Sequence, residues 1–282
     1  SLIRTNAIVN APPAPGGSWP VLLFAHGRGG FRQHDTALVE ALVSQGYVVA
    51  AMDQPFAASG VRFPDGRMVP IDPRMQTRSF EDRMIPRMAE DASFTLDRLA
   101  SLNAGDAGNP LASRLDMGRV GMFGLSLGGA VTAQACLREA RIRACLPIDV
   151  FMPADVIREG LARPVLLVTR DAATMRREGW READVSETQS TMREAFLADR
   201  AQAWMLVVPG MYHQDFSDFP YLAAPLLERA LNLSGTVDRD RGRRILAAYA
   251  QAFFDHELKG LPAPLLEGAS KDFPEVRIER RP

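Results

Sequence analysis

Short apolar runs alternate with helix-like segments along most of this 282-residue chain. Continuous apolar runs of this kind are typical of strands that are buried on both faces of a parallel sheet. Strands that alternate with helices build a sheet with helices on both sides. We predict strands at residues 20–25, 47–52, 118–123, 143–148, 164–169 and 203–208, the last of the chain. The pattern indicates a doubly wound, mostly parallel α/β fold in a single domain, residues 1–282.

The segments between these strands predict helices and two regions that could cover a binding site. Helices are expected at residues 36–45, 80–102, 129–135, 191–197 and 239–258. Residues 54 to about 77 are rich in Pro, Gly and Arg without a clear period, so we predict a long loop there. Insertions around residues 54–79 and 171–200 could form a cap that includes Trp180. Residues 171–200 could equally be a solvated helix pair with no role in catalysis.

The overall charge and hydropathy exclude several classes of protein. The chain has 33 Lys and Arg residues against 34 Asp and Glu residues, a net charge of −1. We therefore expect no nucleic-acid partner and no binding to anionic membrane surfaces. No apolar run reaches the length of a transmembrane helix, so we expect no transmembrane segment.

The cysteines and the first residue bear on the compartment without fixing it. Cys136 and Cys145 lie in apolar segments, and we interpret them as buried free thiols rather than a disulfide. The chain begins with Ser1 rather than Met, and residues 2–4 resemble the middle of a strand. We therefore expect that an N-terminal segment, which could include an export signal, has been removed. The sequence does not indicate the oligomeric state.

The pentapeptide Gly124-Leu125-Ser126-Leu127-Gly128 is a G-x-S-x-G motif between a predicted strand and a predicted helix. In that context the motif predicts a nucleophile elbow, a sharp turn that holds a serine hydroxyl at the end of the sheet. The helix N-terminus behind Ser126 offers unpaired N–H groups, which favour an oxyanion.

A serine nucleophile needs a base, and the chain contains four histidines. We expect His26 to pin the geometry of a glycine loop, and His34 and His256 to be ordinary surface residues. His213 follows the last predicted strand, which is the place of the base in the chain order Ser, acid, His. His213 is therefore our candidate base. Asp149 and Asp171 both end strands between Ser126 and His213, and from position alone either could be the acid.

Several segments together resemble the plasma-type platelet-activating factor acetylhydrolase family of α/β-hydrolases. They are residues 26–32, 46–53, the elbow with Gly129, residues 148–152 and residues 212–219. The resemblance extends from about His26 to Leu258. It implies an α/β-hydrolase fold and an acid directly after the strand that follows the nucleophile helix, which is Asp149.

Related dienelactone-hydrolase-like and polyester-hydrolase enzymes have their acid two residues beyond an Asp in the position of Asp171. That position here is Ala173, so the resemblance favours Asp149 and makes Asp171 a surface or capping residue.

The oxyanion hole of α/β-hydrolases uses the backbone N–H of the residue after the nucleophile, here Leu127. By resemblance, the second N–H belongs to Arg28. The family usually has an apolar residue at that position. Arg28 could make the pocket entrance more polar or favour an anionic substrate, or its side chain could pair with a surface carboxylate.

We predict a serine carboxylic ester hydrolase that works through an acyl-enzyme, with a small-molecule or lipid ester as its partner and no metal or organic cofactor. By resemblance the substrates are short-chain or truncated-acyl esters. The alternatives are a polyester or cutinase-like hydrolase, an amidase or peptidase, and a catalytically silent binding protein. A weaker hypothesis assigns the lining of an acyl pocket to Phe31, Phe56, Phe151, Met152, Met211, Tyr212 and Phe216.

Overall fold

The computed structural model describes residues 5–106, 108–222 and 234–282 and has a seven-stranded sheet at its centre. The sheet order is β2-β1-β5-β6-β7-β8-β9, parallel except for β9, which pairs antiparallel with β8. The strands of the described residues are β1 (Trp19–Ala25), β2 (Val48–Met52), β3 (Gly60–Arg62), β4 (Met68–Pro70), β5 (Leu115–Leu125), β6 (Ile142–Ile148), β7 (Val165–Thr169), β8 (Ala203–Val207) and β9 (Arg277–Arg281).

Helices cover both faces of this sheet, which confirms the predicted α/β class. The described helices are α1 (Thr36–Ser44), α2 (Arg78–Asn103), α3 (Leu127–Arg138), α4 (Ala154–Glu159), α5 (Ala172–Glu178), α6 (Glu182–Ala198), α7 (Phe219–Leu222) and α8 (Arg239–Lys259). Residues of α2, α3 and α6 contribute to the hydrophobic core on one face, and residues of α1 and α8 contribute to the core on the other. Every residue of β7 is buried, as expected for a strand with both faces covered.

Each predicted strand and helix has an observed counterpart, but the structure also contains elements that were not predicted. Helices α4, α5 and α7 are among them, and α6 begins at Glu182 rather than near Thr191. The strand at residues 203–208 is not the last, because β9 follows it at the sheet edge. Its sequence, Arg-Ile-Glu-Arg-Arg, has no apolar run that would predict a strand. The predicted loop over residues 54–77 contains the antiparallel hairpin β3–β4 and a 3₁₀ turn at Pro73–Gln76. Residues 2–4, where the sequence resembles a strand, lie outside the described residues.

The sequence predicts free thiols at Cys136 and Cys145, and this prediction is wrong. The two cysteines form a disulfide between α3 and β6. Cys136 and Cys145 are both buried, and their Cα atoms lie 6.4 Å apart. Burial in apolar segments is the environment of a free thiol and of a paired one alike. The packing of α3 on β6 brings the two sulfur atoms together, and this contact is a tertiary feature that the local sequence does not reveal.

Within the described ranges, no helix combines the length and the apolar composition that crossing a membrane requires.

Candidate active site

Ser126 occupies the sharp turn between β5 and α3 that the sequence predicts. Its backbone has φ 56° and ψ −128°, a conformation that costs a non-glycine residue about 1–3 kcal/mol. The turn is closely packed: a Cβ atom at Gly124 would collide with the backbone oxygens of Gly128 and Ala25, and one at Gly128 with that of Ala25. The two glycines are therefore required for the approach of α3 to the end of β1.

His213 and Asp149 form a direct pair at the end of the sheet where Ser126 lies. His213 begins a 3₁₀ turn after β8, and Asp149 follows β6 directly with φ 43°. The imidazole Nδ1 lies 2.7 Å from Asp149 Oδ2, and the carboxyl group also accepts a 3.1 Å hydrogen bond from the Thr169 hydroxyl. Because Nδ1 faces the carboxylate, Nε2 is the nitrogen that remains available for other contacts.

The Asp149 carboxyl group is completely buried, and its charge has specific partners. Burial alone would raise the pKa of Asp149, but the nearby Arg170 guanidinium and the bond to His213 outweigh it and hold this pKa below its ordinary value. Asp149 is therefore ionised at neutral pH and can orient the His213 ring.

Ser126, Asp149 and His213 line one cavity of about 420 Å³. Asp171 is elsewhere: it is the N-cap of α5, where its carboxylate accepts a 2.8 Å hydrogen bond from the Thr174 N–H. Ala173 lies within α5. The structure thus brings Asp149 to His213 and leaves Asp171 at a helix end.

Arg28 and Leu127 line the same cavity. Among the described residues, neither backbone N–H has a hydrogen-bond acceptor, so both are available to a ligand. The loop that contains Arg28 packs on His26, which is fully buried. Its Nε2 accepts a 3.1 Å hydrogen bond from the Gln54 N–H, and its Nδ1 lies 2.7 Å from the Gly27 carbonyl oxygen. His26 therefore pins the loop, as the sequence analysis expects.

The side chain of Arg28 also faces the cavity. Its Nη1 donates a 2.9 Å hydrogen bond to the Met75 carbonyl oxygen and lies 3.5 Å from Glu81 Oε1. Glu81 belongs to α2, and only 8% of its side chain is exposed. Burial raises the pKa of Glu81, and the charge of Arg28 opposes that rise. The partner of Arg28 is thus a buried carboxylate at the cavity wall rather than a surface one.

Of the seven residues predicted to line an acyl pocket, Phe151 alone lines this cavity. The structure does not bring the other six to it. Phe31 and Phe56 are exposed, with Phe31 packed near His34, and the remaining four are buried in or beside the hydrophobic core: Met152, Met211, Tyr212 and Phe216. Position on a loop after a strand does not show whether an apolar side chain turns towards the site or into the core.

His34 is not the ordinary surface residue that its position before a helix predicts. It is half-buried, and burial lowers its pKa, an effect to which the nearby His26 and His213 add. His256 lies near the end of α8, where its Nδ1 is 3.0 Å from the Leu261 carbonyl oxygen.

The segment after β7 forms one wall of the cavity. Trp180 and residues at the start of α6 line it, and the Trp180 ring lies edge-on to the His213 ring with centroids 5.3 Å apart. Two residues beneath this wall, Arg170 and Glu178, are not among the site residues predicted from the sequence. Arg170 is fully buried and lies 3.0 Å from Asp149 Oδ2, while the Glu178 carboxylate accepts a hydrogen bond from the His213 backbone N–H. The available signal was a charged residue directly after a fully buried strand.

The seven-stranded sheet, the elbow after β5 and the flanking helices define this protein as an α/β-hydrolase in fold. It belongs to the family described as "Platelet-activating factor acetylhydrolase, isoform II", whose model matches residues 1–59 and 100–262.

Individual relatives agree with this assignment. A platelet-activating factor acetylhydrolase of Cavia porcellus is 23% identical over 91% of the chain, and one of Gallus gallus is 20% identical over 88%. The chain spans 61% and 64% of the length of these two relatives. Among solved structures, a ferulic acid esterase from Streptomyces cinnamoneus superimposes with a TM-score of 0.79 at 32% identity, covering 98% of this chain and 77% of the other.

Proposed function

We propose that this protein is a carboxylic ester hydrolase that works through an acyl-enzyme on Ser126. The observation that carries the proposal is the 2.7 Å contact between His213 Nδ1 and Asp149 Oδ2 beside the cavity that Ser126 lines. A serine hydroxyl becomes a useful nucleophile when an oriented base accepts its proton. The relatives named as acetylhydrolases and as an esterase support the same class of reaction.

In the proposed mechanism, Ser126 Oγ attacks the ester carbonyl carbon while His213 Nε2 accepts the hydroxyl proton. Asp149 holds the ring through Nδ1 and stabilises the imidazolium that forms. His213 then donates the proton to the departing alkoxide, which leaves as an alcohol and yields an acyl-serine. A water molecule, deprotonated by the same nitrogen, attacks this ester and releases the carboxylic acid and free Ser126.

The N–H groups of Arg28 and Leu127 are the proposed oxyanion donors. Both line the cavity, and Leu127 is the first residue of α3, where the helix dipole adds to the positive potential. In this proposal the Arg28 side chain has no part in the oxyanion hole, since its guanidinium is directed to Met75 and Glu81.

The charges around the cavity favour a neutral or zwitterionic ester with a short acyl group. Three arginines line the cavity, and each has a carboxylate partner there: Arg28 with Glu81, Arg78 with Glu187, and Arg181 with Asp184. Because these cations are already paired, they offer no free site for an anionic acyl chain. A cavity of about 420 Å³ with this polar lining suits a short acyl group better than a long hydrocarbon chain.

A second candidate is an aryl ester hydrolase that acts on hydroxycinnamate esters. Two aromatic rings, Phe151 and Trp180, line the cavity and could contact an aromatic acyl group. The ferulic acid esterase that superimposes on the chain supports this candidate. A polyester hydrolase would require an elongated shallow groove for a long, largely apolar chain. The paired charged residues around the cavity disfavour such a chain.

An ester panel separates these candidates. The panel contains p-nitrophenyl acetate, butyrate and octanoate, methyl ferulate, an acetyl phospholipid and a monosuccinyl ester. We expect kcat/KM to be highest for acetate and butyrate and lowest for octanoate and the succinyl ester. A preference for methyl ferulate would favour the second candidate. Turnover by Ser126→Ala equal to that of the wild type would overturn the mechanism, and no turnover of any ester by the wild type would indicate a silent binding protein.

A further inference from the structure

Arg170 is a fully buried arginine directly beneath the proposed catalytic pair. It follows β7, and its Nε lies 3.0 Å from Asp149 Oδ2, the same oxygen atom that His213 Nδ1 contacts at 2.7 Å. The two nitrogen atoms are therefore within about 6 Å of each other, close enough for direct electrostatic coupling. The guanidinium also lies 4.4 Å from the centroid of the Trp180 ring, which in turn packs on the His213 ring.

Glu178 balances Arg170 from the opposite side. Its carboxylate pairs with Arg170 Nη1, and it accepts a 3.2 Å hydrogen bond from the His213 backbone N–H. Arg170 therefore lies between two carboxylates that both contact His213, one through its ring and one through its backbone. Of the two, only Glu178 has part of its side chain exposed, at 16%.

The burial of the Arg170 charge costs free energy, which suggests that the charge has a function. An arginine is seldom fully buried, because the loss of its hydration costs several kcal/mol even when it is paired. A stability role alone would be served as well by an apolar residue of similar size. In this position, however, the positive charge of Arg170 partly offsets the attraction of the two carboxylates for a proton on the His213 ring.

We propose that Arg170 is a positioning residue for the catalytic pair, which fixes the Asp149 carboxylate and tunes the pH at which His213 becomes a free base. Arg170 does not line the cavity among the residues that the structure describes there, so it acts through Asp149 and not on the substrate. Glu178 has the opposite electrostatic effect on His213 through the backbone contact. This proposal rests on the proposed hydrolase mechanism.

The charged and titratable groups around the pair set the expected direction of the effect. Asp149, Glu178 and Asp215 are the carboxylates that face the pair, Arg170 is the cation, and Tyr212 and the half-buried His34 complete the set. Without the cation, the carboxylates hold the His213 proton to higher pH. Without the Glu178 charge, the proton leaves at lower pH.

The test is the pH profile of kcat/KM with p-nitrophenyl acetate. For Arg170→Gln we expect the acidic limb to move up by about one pH unit, so that kcat/KM below the limb falls about tenfold with KM nearly unchanged. For Glu178→Gln, which keeps an oxygen acceptor for the His213 N–H, we expect the limb to move down. Arg170→Lys keeps the positive charge and should restore the limb towards its wild-type position.

Arg277→Gln is the matched control. Arg277 is 68% exposed and pairs with Asp171, the residue that follows Arg170 in the chain, and not with Asp149 or Glu178. We expect its limb to coincide with that of the wild type.

Opposite movements of the limb in Arg170→Gln and Glu178→Gln support the proposal, and equal losses of kcat at every pH, with unmoved limbs, overturn it. If Arg170→Gln does not fold, the proposal is tested by Glu178→Gln, whose limb should move down, and by Arg170→Lys, whose limb should stay near the wild-type position. An NMR titration of the His213 ring in the wild type and in Glu178→Gln measures the same movement without turnover. An equal His213 midpoint in both proteins overturns the role of the charges. If the wild type hydrolyses no ester but the midpoint still differs between the two proteins, the hydrolase proposal fails and the electrostatic one holds.

Discussion

Opening the Cys136–Cys145 disulfide should lower the free energy of unfolding by about 2.6 kcal/mol, a value that follows from the size of the loop it closes. The two cysteines are nine residues apart, and the chain-entropy model relates the entropy that the cross-link removes from the unfolded state to the logarithm of that length. The loop contains the end of α3 and the start of β6, so the cross-link ties the nucleophile helix to the strand that leads to Asp149.

Urea unfolding of the oxidised and the reduced wild-type protein isolates this contribution, because the two forms have the same sequence. The fluorescence of Trp204, which is buried, reports the transition. The variant Cys136→Ala/Cys145→Ala should lose more than the reduced wild type, since it also lacks two buried sulfur atoms that pack in the core.

Alkylation under denaturing conditions without reductant gives the decisive control. Two alkylated cysteines in protein purified without reductant would show that the bond is absent and would contradict the predicted stabilisation. An oxidised protein no more stable than the reduced one would refute the assigned magnitude. An intact bond would also agree with maturation in an oxidising compartment.

Two further predictions concern buried aspartates. Asp149→Asn should reduce kcat by about 10⁴-fold, because an amide favours the wrong tautomer of His213. Asp171→Asn should leave kcat within about twofold, because asparagine is an equally good N-cap. Steady-state kinetics on both variants checks this, and the reverse result would make Asp171 the acid. Burial raises the pKa of Asp199 to about 7. The unfolded chain therefore loses this proton near pH 4 while the folded chain keeps it, so stability falls as pH rises from about 4 to 7. Asp199→Asn should remove that fall and be more stable than the wild type at pH 8 by about 4 kcal/mol in urea unfolding. Identical pH profiles for the two proteins would contradict the prediction.

The strands of the sheet core could be predicted because each is a local apolar run. β1 and β7 are apolar along nearly their whole length, and burial on both faces demands such a composition. β9 could not be predicted, because an edge strand pairs through its backbone and can have charged side chains. The hairpin β3–β4 has three residues in each strand, too few to show a period.

The residues of the candidate site also differ in how far the local sequence predicts them. Ser126 and His213 have local signals, an elbow motif and a histidine after the last parallel strand, and the structure brings both to one cavity. Arg170 has only its position directly after the buried β7 as a signal, and that position does not show whether the arginine side chain is buried or exposed. Its environment is created by Asp149, Glu178 and Trp180, which come from other segments and meet only in the folded chain.

The role of Ser126 as the nucleophile is tested most directly by labelling the protein with a serine-reactive phosphonate and locating the adduct by mass spectrometry. We predict one adduct, on Ser126, with loss of ester hydrolysis in proportion to labelling. It also predicts slow labelling of Asp149→Asn, since Ser126 then lacks an oriented base. An adduct on another serine that abolishes hydrolysis, or full hydrolysis after complete labelling of Ser126, would contradict it.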